Sequence, residues 1–400
     1  MGVKHSRNQR RQSSASQSQR SIPSRSSSDH SFQRIWSRTS RRRRSVVSLT
    51  DPYLASRTTW PVPQSEAMFL PEYEVSPRSA EQEYKILHQI NKGAYGQVLK
   101  VQRKEDGEIY AMKVLSKLEV IRSEAIKQCK EEVSIQQAVV SHHPFIIQIY
   151  KSWQSKINLH IVMEYATHGD LYTLWILEGV FTEMAVCIYV AELSMALDFL
   201  HNSGVIYRDL KMENILLDHE GHIKLTDFGL SKWLKRGNRT STICGTLQYM
   251  APEILNEENY THAVDWWSLG IIMYTLLTGG YPIDGAKTHF TMYSRVLAKK
   301  YVLPSSISQE ACDALDRLLR KDPNERLQSL GEVVHLDFIR TISLEQLVRR
   351  EIVPKNYLKR RLPRTIARKS TNKKGREFLY DKIPTELHVD NFEWTRVTQL

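Results

Sequence analysis

Cysteine is scarce in this chain. Four stand among 400 residues, Cys129, Cys187, Cys244 and Cys312, and no two form a C-x-x-C pair. That spacing supports neither a zinc module nor a disulfide framework, and it suits a reducing, intracellular compartment. Long apolar runs are missing too: none reaches the roughly 18 residues of a membrane span, and the longest, Leu269 to Leu277, reads as a buried helix. The N-terminus lacks an apolar signal-peptide core. Glycine, at 17 residues, shows no period, and apolar usage of 41% is near ordinary. Collagen-like and wholly disordered chains are thereby excluded.

Acidic residues are nearly absent from one stretch. Residues 1–50 hold 12 Lys/Arg against Asp29 alone, and residues 340–400 hold 15 basic against 7 acidic. The net charge of +12 therefore resides in the tails, while residues 51–339 carry 29 basic and 36 acidic groups. A nucleic-acid protein usually carries its basic charge on the folded body, so nucleic acid is not the expected partner, and a basic RNA-associated protein is only a third reading. Residues 1 to about 50 are Ser/Arg-rich and lack the apolar surface needed to offset the entropy of ordering. Residues 51–83 read as irregular, punctuated by Pro52, Pro61, Pro63, Pro71 and Pro77. The expected organisation is a disordered basic tail over 1–83, a folded body over 84–339 and a basic extension over 340–400.

Within the body, Tyr84–Ile90, Gln97–Arg103, Glu108–Leu115 and His160–Tyr165 read as strands, and Val120 to Val140 as a helix. The second half is mostly helical. Thr182 to His201 places Val186, Val190, Leu193, Leu197 and Leu200 at three- and four-residue spacing, with Gly204 just past the end. Asp265–Thr278 and Gln309–Arg320 read as further helices.

Five short motifs follow one another through this body. Ile90-Asn91-Lys92-Gly93-Ala94-Tyr95-Gly96-Gln97-Val98 places glycines in a turn between strands, where backbone N–H groups can approach phosphate oxygens. Tyr110-Ala111-Met112-Lys113 sets a lysine on an apolar strand, and an ammonium buried there must be paired. Tyr207-Arg208-Asp209-Leu210-Lys211-Met212-Glu213-Asn214 comes next, then Asp227-Phe228-Gly229 thirteen residues after Asn214, then Ala251-Pro252-Glu253. Each string alone is weak.

Together, in this order and spacing, they resemble the signature set of the eukaryotic protein kinases over roughly residues 84–339. The resemblance implies an α+β, bilobal fold: a small β-rich lobe with one main helix (84–166) and a larger, mostly helical lobe (167–339). It implies ATP and Mg²⁺ as cofactors and protein substrates with Ser/Thr acceptors. Lys113 would hold the α- and β-phosphates and pair with Glu132, Glu131 being the second choice. Asp209 would accept the hydroxyl proton, and Lys211 would steady the transferring phosphoryl. Asn214 and Asp227 would hold the metal. Ile90, Asn91, Gly93, Ala94 and Gly96 would cover the phosphates. Val98 and Leu216 would sandwich the adenine beside Ala111, with Met163 as gatekeeper and Glu164 and Ala166 at the hinge. Asp265 would anchor the catalytic loop, and Arg326 would pair with Glu253.

Tyr207 in place of the more common His, and Lys211 after the catalytic Asp, resemble the AGC group of Ser/Thr kinases, and within it the ribosomal protein S6 kinases. By that likeness Thr242 would be an activating phosphosite, met by Arg208 and Lys232 and modified by an upstream kinase. Thr246, Glu213 and Asp170 would line the substrate groove. Departures are also present. Asn91 replaces the first loop glycine, tolerated because Asn accepts positive φ better than most residues. Leu247-Gln248 and Thr275 replace commonly acidic or Pro-Glu positions, and Asn391-Phe392-Glu393-Trp394-Thr395 does not fit the group's C-terminal docking motif. These departures support a competing reading, a pseudokinase or scaffold that binds nucleotide and partners without transfer.

Met1-Gly2-Val3-Lys4-His5-Ser6 fits the N-myristoylation pattern at Gly2. A single acyl chain binds membranes marginally and needs a second signal. Arg7, Arg10, Arg11 and Arg41 to Arg44 would supply it against an anionic surface. The expected location is cytoplasmic with membrane association, and the nucleus is the alternative. Arg42-Arg43-Arg44-Ser45-Val46 also resembles a basophilic-kinase substrate that the acidic body could hold in cis.

Overall fold

The computed structural model describes residues 63–362, apart from 77–79, 94, 140–142, 236, 284, 300, 302 and 361. Gly2, Ala94, Ser45 and the Asn391–Thr395 string lie outside the described residues. Gln64–Ala67 forms a short helical turn, and the unit considered from here on begins at Met68.

Its first part is a six-stranded sheet: β1 Glu74–Val75, β2 Tyr84–Lys92, β3 Gly96–Arg103, β4 Ile109–Ser116, β5 Ile149–Gln154 and β6 Asn158–Glu164. The spatial order is β1-β5-β6-β4-β3-β2, with β1 parallel to β5 and the rest antiparallel. Side chains alternate between faces along a strand, and β4 shows the consequence. Tyr110, Met112 and Val114 enter one cluster with Leu99, Val101 and Trp153. Ala111 and Leu115 enter the other, which also holds Cys129 and Val133 from a helix. Lys113 lies between Ala111 and Leu115 in the alternation, so it faces that helix.

The helix expected over Val120 to Val140 is two helices, α1 Lys117–Arg122 and α2 Ile126–Val139. Ser123 closes α1, and Glu124 turns left-handed at φ 54° while Ala125 stays buried. Apolar spacing runs straight across this break, which is why periodicity does not reveal it.

The second part is built around α3, Glu183–Asn202, capped by Thr182 Oγ1 accepting from the Ala185 N–H at 3.2 Å. This helix has the length and hydropathy of a membrane span, but 78% of the apolar window is buried inside the protein, so it reads as a core helix. Beside it lies α4, Ala263–Thr278, which contains the Leu269–Leu277 run. A Cβ at Gly270 would stand 2.7 Å from the Leu319 side chain, so glycine here permits close packing.

The folded body overruns the expected limits at both ends. Phe69 and Tyr73 are fully buried within the stretch expected to be irregular. Beyond residue 339, Leu347 and Pro354 are buried, Arg350 pairs with Asp218, and the backbone N–H groups of Lys359 and Arg360 donate to Glu178. Basic charge on the surface of 340–362 masks this apolar seam in the sequence.

Candidate active site

Three elements converge on one opening. The β2–β3 hairpin closes through Gly93 N–H donating to the Gly96 carbonyl at 2.8 Å. A Cβ at Gly96 would lie 1.9 Å from the Val114 carbonyl oxygen, so only glycine lets this strand approach β4. Asn91 is paired with Val98 in extended strand and has no positive φ. The permissiveness invoked for Asn91 is therefore not needed; its Oδ1 instead accepts from the Lys92 N–H at 2.8 Å.

Lys113 meets Glu132 of α2, Nζ to Oε1 at 2.5 Å, and stands 3.8 Å from Asp227 Oδ1. Burial opposes its charge, but Glu132 and Asp227 outweigh burial and hold its pKa above that of an ordinary lysine. Glu131, the second choice, is not the partner.

The loop after α3 carries the densest polar network. Asp265 accepts from His201 Nε2 and from the N–H groups of Tyr207 and Arg208, at 2.8, 2.9 and 2.8 Å. Burial raises its pKa, but the hydrogen bonds from His201, Tyr207 and Arg208 reverse that and leave it lowered. Arg208 is left-handed at φ 70°, which turns the chain sharply just before Asp209. Asp209 is buried, and its carboxylate is held from three sides. Lys211 Nζ stands at 2.6 Å, Asn214 Nδ2 donates at 3.0 Å and Thr246 Oγ1 donates at 3.0 Å. Lys211 also donates to Thr246 Oγ1 at 3.1 Å. Phe228 is fully buried edge-on to Tyr207, centroids 5.3 Å apart. Its neighbour Asp227, at φ 58°, turns a half-exposed carboxylate to the opening. The Tyr207 hydroxyl donates to the Thr226 carbonyl, tying this turn to the loop.

The model of the protein kinase domain family matches residues 84–339. The chain belongs to the protein kinase family. It is 43% identical over 286 residues to the human ribosomal protein S6 kinase-related protein, covering 72% of this chain and 69% of that one. Protein kinase 2 of Dictyostelium discoideum is 41% identical over 276 residues (68% and 57%). Ribosomal protein S6 kinase alpha-1 of the rat is 40% identical over 287 residues (70% and 38%). The family-level expectation of a Ser/Thr kinase of the AGC group, with an α+β fold, is met.

In this kinase a cavity of about 250 Å³ lies under the hairpin, lined among others by Gly93, Gly96, Val98, Lys113, Glu132, Asp209 and Asp227. Ala111 and Met163 face each other across β4 and β6, both buried, with Ile90, Val98 and Tyr165 packed on the same cluster. Leu216 lies on the strand Ile215–Leu217, bridged to Asp170. Glu164 turns its carboxylate to Lys224 at 2.8 Å, so any hinge role falls to its backbone. Asp170 Oδ1 caps the helix Leu171–Glu178 by accepting from Thr173 N–H at 2.7 Å. Glu213 is exposed. Thr275 is fully buried and donates to the Ile271 carbonyl at 2.7 Å, so it offers nothing to a groove.

The donor set fits Mg²⁺ with ATP. Among the described residues no cluster of three or more His, Cys, Asp or Glu could hold a metal. A lone carboxylate with an amide nearby suits a cation that shares its coordination with phosphate oxygens and water. Asp227 and Asn214 provide that pair.

Thr242 is exposed, and its carbonyl accepts from the Tyr260 hydroxyl at 2.6 Å. Arg208 Nη1 donates to that hydroxyl at 3.5 Å, and Lys232 Nζ donates to Thr240 Oγ1 at 3.2 Å. Thr240 exchanges backbone hydrogen bonds with Tyr260, so Arg208 directly, Lys232 through Thr240, and the Thr242 carbonyl all gather at one tyrosine. Sequence reading missed Tyr260, and it missed Cys129, which lines the cavity one turn before Glu132. Burial pushes the Cys129 thiol up to about 12, so it is not a nucleophile. The three-residue spacing to Glu132 on one helix was the available signal.

Proposed function

We propose that this kinase transfers the γ-phosphoryl group of Mg²⁺-bound ATP to serine and threonine hydroxyls of protein substrates. The observation that carries this reading is the Asp209 network: one buried carboxylate oriented by Asn214, Lys211 and Thr246, opposite a closed Lys113–Glu132 pair. Asp209 accepts the proton of the acceptor hydroxyl as its oxygen bonds to phosphorus and the bond to the ADP oxygen breaks. Lys211 supplies positive charge beside Asp209, where negative charge collects on the transferring group. Lys113 would hold the α- and β-phosphates, and Asn214 with Asp227 would hold the metal. Bound Mg²⁺ neutralises phosphate charge. Asn91 sits without strain, which removes one ground for the scaffold reading.

Regulation follows from the activation segment. A phosphate on exposed Thr242 would draw Arg208 and Lys232 from their hydroxyl partners and fix the segment by charge-assisted bonds. Gly2 acylation with the arginines of the N-terminal tail would hold the enzyme at an anionic membrane from the cytoplasm. The test is phosphate transfer from Mg²⁺-ATP to a degenerate Ser/Thr peptide library, with Thr242-phosphorylated and unphosphorylated protein run separately. Transfer that rises on Thr242 phosphorylation supports both parts. Nucleotide binding without transfer in either form would return the scaffold reading. Flotation on anionic vesicles, lost on Gly2→Ala, tests the membrane part.

A further inference from the structure

Helix α2 carries Glu132, and its position decides whether the ion pair with Lys113 forms. One flank of this helix, at Cys129, Lys130 and Val133, is met by the chain segment Met68–Ser76. Phe69 and Tyr73 are fully buried there, edge to face with centroids 6.4 Å apart, in one cluster with Cys129 and Val133. The Tyr73 hydroxyl donates to the Cys129 carbonyl at 3.2 Å, one turn before Glu132. Lys130 pairs with Glu72 at 3.1 Å and donates to the Leu70 carbonyl. The other side of the same segment is fixed to the sheet. Strand β1 runs parallel to β5, Gln154 Nε2 donates to the Tyr73 carbonyl at 2.6 Å, and Ser152 Oγ donates to the Glu72 carbonyl at 2.8 Å. Met68–Ser76 thus ties α2 to the strand next to β6, and so to the sheet that carries Lys113.

We propose that Met68–Ser76 is a built-in positioning element for the Lys113–Glu132 pair, with Phe69 and Tyr73 as its anchors, so that docking of this segment sets catalytic output. The proposal rests on the phosphoryl-transfer reading. The segment's only regular pairing is two residues of β1. Its hold therefore depends on two aromatic side chains and a few hydrogen bonds, whose loss leaves α2 without a cover on this flank. Aromatic anchors of this size bury large areas at low entropy cost. Phe69 and Tyr73 touch neither substrate nor nucleotide in this account; they act through α2.

The test uses the full chain with both anchors truncated, Phe69→Ala with Tyr73→Ala, and a free peptide of residues 63–76 added in trans. Two readouts are taken: kcat and KM for ATP, and amide hydrogen exchange across Ile126–Val139. The proposal predicts that kcat falls about tenfold or more, the size expected when the competent state becomes the minor one. It predicts faster exchange in α2, and restoration of both by the peptide. Tyr73→Phe, which loses only the hydroxyl, falls between. Unchanged exchange in α2 would overturn the proposal, as would losses that the peptide does not restore, since those mark a merely structural contact. If the unmodified chain transfers no phosphate, the function reading fails, and exchange in α2 with and without peptide alone decides this inference.

Discussion

Replacing Arg326 by alanine removes a guanidinium whose five N–H groups are all engaged. Nη1 and Nη2 donate to Glu253 Oε1 and Oε2 at 2.7 and 3.0 Å, a bidentate pair. Nε donates to the Arg320 carbonyl at 3.0 Å, Nη1 to Ala263 at 3.0 Å and Nη2 to Lys321 at 3.3 Å. The guanidinium lies 5.2 Å from the Trp267 ring centroid, and both charged side chains are buried. Truncation leaves the Glu253 carboxylate unpaired and takes a donor from three carbonyls, of which Ala263 stands at the start of α4 and keeps its helical bond, and breaking such a pair costs about 3–5 kcal/mol. In a body of this size each kcal/mol shifts Tm by about 2–4 °C, so thermal unfolding followed by circular dichroism should show a drop of roughly 6–20 °C. Arg326→Lys keeps charge but not the fork, and should fall between. Adding Glu253→Leu to Arg326→Ala removes the orphaned carboxylate and should recover part of the loss, a positive coupling. A Tm within about 2 °C of the parent, which at this size is less than 1 kcal/mol, would refute the reasoning, as would a further fall on adding Glu253→Leu.

Other outcomes follow from the same geometry. His160 is buried, stacked on Trp153 with centroids 4.9 Å apart, and burial with nearby Lys117 pushes its pKa down to about 4. A free histidine titrates near 6.5, so the unfolded chain binds the proton first as pH falls. Urea-unfolding stability should therefore decline between about pH 6.5 and 4. His160→Gln should flatten that slope in part, the rest coming from His143, whose pKa burial and Lys224 also push down to about 4. Gly96→Ala drives a methyl against the Val114 carbonyl, whereas Gly93→Ala meets nothing nearer than 4.0 Å. Only the first should weaken ATP binding, by about tenfold or more, the equivalent of 1.4 kcal/mol, in a nucleotide-displacement titration. Thr246→Ala removes a hydroxyl that joins Asp209 and Lys211, and steady-state kinetics should show kcat down by about ten- to a hundredfold. Thr246→Ser should keep most of it.

The residues that surround the opening were legible because their chemistry is local. Gly96, Asp209, Lys211, Asn214 and Asp227 stand in short strings whose spacing is set by one turn or one loop, so sequence distance is a fair guide to geometry. Lys113 and Glu132 are 19 residues apart, and their pairing was legible only through the kinase resemblance, which left Glu131 as a second choice; the structure brings Lys113 to Glu132. What escaped depends on contacts that sequence does not order. Strand β5, Ile149–Gln154, alternates irregularly because it carries a bulge between Ile149 and Lys151. Phe69 and Tyr73 sit among prolines that read as linker, and only the α2 flank explains them. Glu124 is an unremarkable residue whose left-handed turn exists to redirect the chain between two helices. Thr242 and Tyr260 are 18 positions apart and meet through a single β-bridge next to it, at Thr240.

The account stands or falls on Asp209 as the group that takes the acceptor proton. The direct measurement is single-turnover phosphate transfer to a Ser/Thr peptide by Asp209→Asn, with Mg²⁺-ATP affinity measured on the same protein. Asparagine keeps the shape, and its one carbonyl oxygen can still accept from Lys211, but an NH2 group replaces the second, basic carboxylate oxygen. The account predicts transfer reduced by about 10²-fold or more, in the range of general-base contributions, with nucleotide affinity within about threefold of the parent, less than 1 kcal/mol. Transfer close to the parent's rate, with affinity retained, would contradict it.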